Sequence, residues 1–151
     1  MLTERRMFFA TPAASLALSS SWTIPSVEDA NVIRRELLDV VRLWQNGTAM
    51  LANKQIKPLT PPPACDGVWE FRATQAPPGA RIIGIFPERN IFVATGVYPR
   101  HYLGNRGSRG WVTAIGYAVG RRAAWFAGST INWPSTAKFT GSDLGTVCDV
   151  F

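Results

Sequence analysis

Three short apolar runs separated by turn signals constrain this chain more than any other feature. Val68 to Thr74 alternates, with Trp69, Phe71 and Ala73 on one face and Glu70 and Arg72 on the other. Ala76-Pro77-Pro78-Gly79 is a turn by composition, Ala80 to Phe86 is rich in isoleucine, Pro87 to Asn90 is a second turn, and Ile91 to Tyr98 is a third run. Alternation with a period of two is the signature of a half-buried strand, and connections this short leave room only for antiparallel neighbours. A three-stranded meander is therefore predicted at the centre of the chain.

Around it the pattern changes. Ile33, Leu37, Val40, Val41 and Trp44 recur at helical spacing. Ser26 is a suitable N-cap and Asn46-Gly47 a suitable stop. A second, shorter helix is expected over Thr48 to Ile56, forming a helical hairpin with the first, and Lys57-Pro58 to Pro63 reads as a proline-rich connector. Upstream, Leu16 to Ile24 has the composition of a short strand. Downstream, Ser108 can cap a last helix in which Trp111, Ile115, Ala118, Val119 and Arg122 share a face, ended by Gly128. The predicted order is strand, two helices, three antiparallel strands, helix. This is an α+β domain, with the N-terminal helical hairpin packed on one face of a small antiparallel sheet and the other face left to arginine and polar side chains. Residues 1–25 are an N-terminal extension with a possible first strand, 26–128 the domain, and 129–151 a C-terminal tail.

A chain of 151 residues, 46% hydrophobic and 17% charged, has enough apolar surface for one core. Trp44, Trp69, Trp111 and Trp125 are assigned to it. The formal net charge is +6, and its distribution is lopsided. No Asp or Glu occurs from Arg89 to Ser142, a stretch that carries Arg89, Arg100, Arg106, Arg109, Arg121, Arg122 and Lys138. Ordinary surfaces mix signs, so this half points to a polyanion, with RNA the favoured candidate.

Cys65 and Cys148 are far apart and His101 is the only histidine, so neither a His/Cys zinc site nor a disulfide framework is expected, and no cofactor is implied. Arg5-Arg6-Met7-Phe8-Phe9 followed by a mild apolar stretch looks like a twin-arginine export signal, although Pro12 interrupts it. The other reading is a cytoplasmic protein whose extension leads into a first strand. No apolar run is long enough for a transmembrane helix, and no membrane partner is expected.

Certain residues carry a family resemblance. Lys57-Pro58-Leu59, then Gly67-Val68-Trp69-Glu70-Phe71-Arg72, then Arg81-Ile82-Ile83 resemble the core of the RelE/ParE superfamily of toxins from type II toxin–antitoxin pairs, and most closely its RelE/HigB-like branch with phage-derived relatives. The likeness covers about Val27 to Phe126. Where that family has a lysine-rich segment after its last strand, this chain has Pro99-Arg100-His101-Tyr102.

The resemblance implies a metal-independent endoribonuclease that cleaves mRNA, commonly on the ribosome, using the RNA's own 2′-hydroxyl as nucleophile. It also implies a cognate antitoxin protein. Such chemistry needs a cation clamp for the phosphate and groups that move protons. The resemblance puts these roles on Arg72, Arg81, Arg100, His101 and Tyr102, with Lys54, Lys57, Arg89, Arg106 and Arg109 as RNA-backbone contacts. A non-catalytic nucleic-acid-binding module, a ParE-like gyrase inhibitor and an exported basic protein are the alternatives.

Overall fold

The structure is a computed structural model, and it describes residues 6–19, 27–48, 54–59, 68–88 and 91–125. Five strands form one mixed sheet in the order β1-β5-β4-β3-β2. The strands are β1 (Met7–Ala10), β2 (Ile56–Pro58), β3 (Val68–Ala73), β4 (Ala80–Glu88) and β5 (Ile91–Pro99), and the helices are α1 (Pro12–Ser19), α2 (Val27–Gln45), α3 (Arg100–Leu103) and α4 (Arg109–Trp125).

The meander is present as expected. β3 pairs antiparallel with β4, and β4 with β5. Gly79 closes the first turn at φ +76°, and a Cβ there would come 2.8 Å from the Ala73 carbonyl oxygen. The helical stripe is also present: Ile33, Leu37, Val40, Val41 and Trp44 are all buried. Gly47 ends α2 at φ +81°. The Gly47 N–H donates to the Trp44 carbonyl at 3.1 Å and the Thr48 N–H to the Leu43 carbonyl at 3.1 Å. This paired arrangement satisfies the last carbonyls of a helix and requires a left-handed residue at the glycine.

Several expectations are corrected. The first described strand is Met7–Ala10; of the strand expected over Leu16 to Ile24, residues 16–19 lie in α1 and the rest falls outside the described residues. Thr11 is the cap that starts that helix, its Oγ1 accepting from the Ala14 N–H at 3.3 Å, with Pro12 in the first helical position. β1 runs parallel to β5, so the sheet is mixed, not purely antiparallel. Arg6, the second arginine of the signal-like pair, is buried. Its guanidinium donates to the Trp44 carbonyl at 2.9 Å and the Thr48 carbonyl at 3.3 Å, where the helix dipole favours a cation.

The expected helix over Thr48 to Ile56 lies partly outside the described residues. Its end does not hold: Ile56, Lys57 and Pro58 form an edge strand paired with Phe71, Glu70 and Trp69, not the start of a loop. An edge position tolerates Pro58 because proline lacks the N–H a central strand must donate.

The largest correction concerns the second sheet face. α2 and α1 cover one face, where Trp44 of α2 packs with Trp69, Phe71, Phe86 and Phe92 of the sheet, with the Phe71 and Phe92 rings 4.7 Å apart. The opposite face is not free. α4 packs Trp111, Ala114, Ile115 and Ala118 onto Leu59, Val68, Ile83 and Ile85. Val119, expected on that stripe, is exposed. Ile83 and Ile85 alternate with Ile82 and Phe86 across the pleat, so β4 is apolar on both sides and needs two covers. Arginine and polar side chains are left only the end of the face that α4 does not reach.

Candidate nucleic-acid interface

That uncovered end is built by cross-strand register. Lys57 pairs with Glu70, and Arg72 with Arg81. Arg81 in turn stands opposite Tyr98 on β5. All five belong to the face that α4 covers further along, because β-strand side chains alternate.

Glu70 is the hub. It is only 3% exposed, and its two carboxylate oxygens lie 3.6 Å from Arg72 Nε and 3.6 Å from Arg81 Nε. Burial pushes its pKa above the ordinary carboxylate range, opposed by Arg81, Arg72, Lys57 and Arg106 in that order. Burial likewise lowers the Lys57 ammonium, helped by the repulsion of Arg106. Arg81 is lowered by burial, an effect that Glu70 offsets and that Arg72 and Arg100 reinforce. Four cations (Lys57, Arg72, Arg81 and Arg106) thus act on the central Glu70 carboxylate, and Arg81 also feels Arg100 and the more distant Glu36 carboxylate.

Their access to solvent differs. Arg81 is buried, and its Nη1 donates to the Ala80 carbonyl at 2.8 Å and the Ala73 carbonyl at 3.3 Å. It braces the β3–β4 turn as much as it charges the site. Arg72 is half-buried and Arg106 exposed. Arg100 Nη1 donates to the Gly104 carbonyl at 2.5 Å, and its guanidinium lies 5.7 Å from the centre of the Trp111 ring. Trp111 Nε1 donates to the same carbonyl at 3.0 Å. Gly104, at φ +72°, turns the chain between α3 and α4. The Ser108 hydroxyl donates to the Leu103 carbonyl, and the Ser108 carbonyl accepts from Val112 N–H at 3.0 Å as α4 begins. The loop carrying Arg106 is therefore fastened at both ends.

His101 and Tyr102 follow Arg100 on α3 and are exposed. Arg109 is exposed at the first turn of α4, and Lys54 lies exposed in the turn leading into β2. Arg89 lies outside the described residues. Of the side chains picked from sequence, Lys57, Arg72, Arg81, Arg100 and Arg106 come together. Sequence reading assigned no site role to two others. Glu70 is the pivot; in sequence it stands on the polar face of the strand and within the resembling run Gly67 to Arg72. Glu36 of α2 reaches the β3–β4 turn, where it accepts from the N–H groups of Thr74, Gln75 and Ala76 at 2.8, 2.9 and 3.0 Å. It had only the appearance of a solvated helix acid.

No family model, curated protein or solved structure matches this chain. Among the described residues no helix is long and apolar enough to cross a membrane.

Proposed function

We propose that the protein binds RNA at this cationic sheet end and cleaves it there, as an mRNA endoribonuclease toxin of the RelE/HigB kind held in check by an antitoxin protein. The observation that carries the RNA-binding half is the gathering of Lys57, Arg72, Arg81 and Arg106 around the buried Glu70 carboxylate, with Arg100 beside Arg81. Such a field attracts phosphate, and guanidinium groups bind it bidentately. The cleavage half is supported by the exposed His101 and Tyr102 immediately after Arg100, together with the resemblance in Gly67 to Arg72 and Arg81 to Ile83.

In this reading the RNA 2′-hydroxyl attacks the adjacent phosphorus, the bond to the 5′ oxygen breaks, and the products are a 2′,3′-cyclic phosphate and a 5′-hydroxyl. Arg100 and Arg106 balance the charge of the phosphorane. His101 and Tyr102 are the groups placed to accept the 2′-hydroxyl proton and return one to the leaving oxygen. Arg81 is a positioning residue, because its guanidinium is already committed to two backbone carbonyls and Glu70. The reading belongs in the cytoplasm, where mRNA and ribosomes are.

Primer extension on mRNA after induction, with purified protein on labelled RNA in EDTA, tests the proposal. Discrete cuts lost in His101→Ala are expected. RNA binding of equal strength without cuts would move the protein to the non-catalytic module, a reading that the structural commitment of Arg81 favours. Arrested DNA replication with intact mRNA would move it to a gyrase inhibitor.

A further inference from the structure

Beside the cationic cluster a groove runs along α4. Its first part is a hollow of about 480 Å³ between Tyr98, Tyr102, Arg109 and Thr113. Tyr98 and Thr113 also border a second hollow of about 430 Å³, which reaches Ala13 and Tyr117. Ala13 and Tyr117 border a third of about 540 Å³, closed by Val93 and Arg121. These shared walls set the three hollows side by side as a trough between α4, β5 and the start of α1.

Its α4 wall has a regular composition. Arg109, Thr113, Tyr117 and Arg121 are spaced by four, which places them in one stripe about 18 Å long. α4 contains no acid. Tyr102 is 68% exposed at one end, and Tyr117 is 40% exposed in the middle. The Arg121 guanidinium lies 5.2 Å from the centre of the Tyr117 ring, and its Nε donates to the Tyr117 hydroxyl at 3.0 Å. That pairing holds the ring in place. On the floor, Tyr98 folds back over Gly96, where any Cβ would meet its hydroxyl at 2.2 Å.

We infer that this trough is a binding track for unpaired RNA, taking the nucleotides that flank the phosphate held at the sheet end. The inference deepens the RNA reading above and rests on it. Exposed aromatic rings alternating with arginines in an acid-free groove match single-stranded nucleic acid: each base has a face to stack, and each linkage carries a charge. A duplex offers no free base faces, so it fits this track poorly. The trough joins the cationic cluster through register, since Tyr98 stands opposite Arg81.

Fluorescence anisotropy of the full chain with a labelled single-stranded 2′-O-methyl oligouridylate tests the track. Tyr102→Ala and Tyr117→Ala should each weaken binding about ten-fold without changing the salt slope. Tyr117→Phe, which keeps the ring, should stay within about three-fold of the parent on the same stacking argument. Arg109→Gln and Arg121→Gln should each reduce the salt slope by about 1. A matched duplex should bind more weakly than the single strand.

If both tyrosine→Ala variants bind like the parent while Arg100→Ala and Arg106→Ala lose binding, the track is overturned and RNA binding at the sheet end stands. If the parent binds no RNA, both readings fall. Equal binding of duplex overturns the track. So does capture by phosphatidylserine vesicles that Tyr117→Ala abolishes with RNA binding unchanged.

Discussion

Arg72 and Arg81 stand directly opposite each other on adjacent antiparallel strands, and Glu70 lies between their guanidinium groups at 3.6 Å from each Nε. Two like charges in such a pair repel. The carboxylate offsets that repulsion and is buried in doing so. Structure and charge are therefore inseparable at this site: whatever neutralises Glu70 changes both the stability of the sheet and the field a ligand meets.

Replacing Arg81 with Ala should cost about 3 kcal/mol of stability, because it leaves a buried carboxylate with one of its two near partners removed. It also strips a donor from the Ala73 and Ala80 carbonyls. Chemical denaturation would show the loss. Loss of RNA cleavage in this variant would not by itself make Arg81 catalytic.

His101→Ala should behave oppositely. The side chain is exposed, so its removal should change stability by no more than about 0.5 kcal/mol. If His101 moves a proton in cleavage, the rate should fall about a hundred-fold or more while RNA affinity is retained. Single-turnover cleavage measured beside anisotropy separates the two effects.

The raised pKa of Glu70 has a definite sign in stability. Its ordinary value is 4.5 and burial raises it in the fold, so the folded state holds the Glu70 proton more tightly than the unfolded chain does. Relative to Glu70→Gln, the parent should lose stability as pH rises from about 4.5 through the raised folded value, then level off. Denaturation midpoints of both proteins across that range would show it. A parent that gains on the Gln variant over the same interval would contradict the burial-dominated environment.

Glu36→Ala should loosen the β3–β4 turn. Three backbone N–H groups lose their acceptor, at a cost of about 1–2 kcal/mol, since part of their hydrogen bonding passes to water. Faster hydrogen exchange at Thr74, Gln75 and Ala76 is the readout.

Arg6→Ala should lower stability by about 2 kcal/mol by removing a charged donor from the end of α2. The Trp44 and Thr48 carbonyls are its acceptors. A lower melting temperature would place this arginine among the groups that hold the fold together.

Local pattern alone determined the meander, the apolar stripe of α2, the glycine that stops it, and the excess of arginine in the C-terminal half. Each depends on residues a few positions apart, where periodicity and turn chemistry act directly. Only the tertiary structure decided the rest. Met7–Ala10 becomes a strand because β5 offers an edge 84 residues away in sequence, and Ile56–Pro58 because β3 offers the other. The second sheet face is covered because Ile83 and Ile85 exclude water only when α4 lies on them. The arginine excess divides between a buried brace, Arg81, and exposed cations, Arg106 and Arg109, by cross-strand register and by where α4 begins. Composition carries no information about either, because burial is a property of what packs against a side chain and not of the side chain itself.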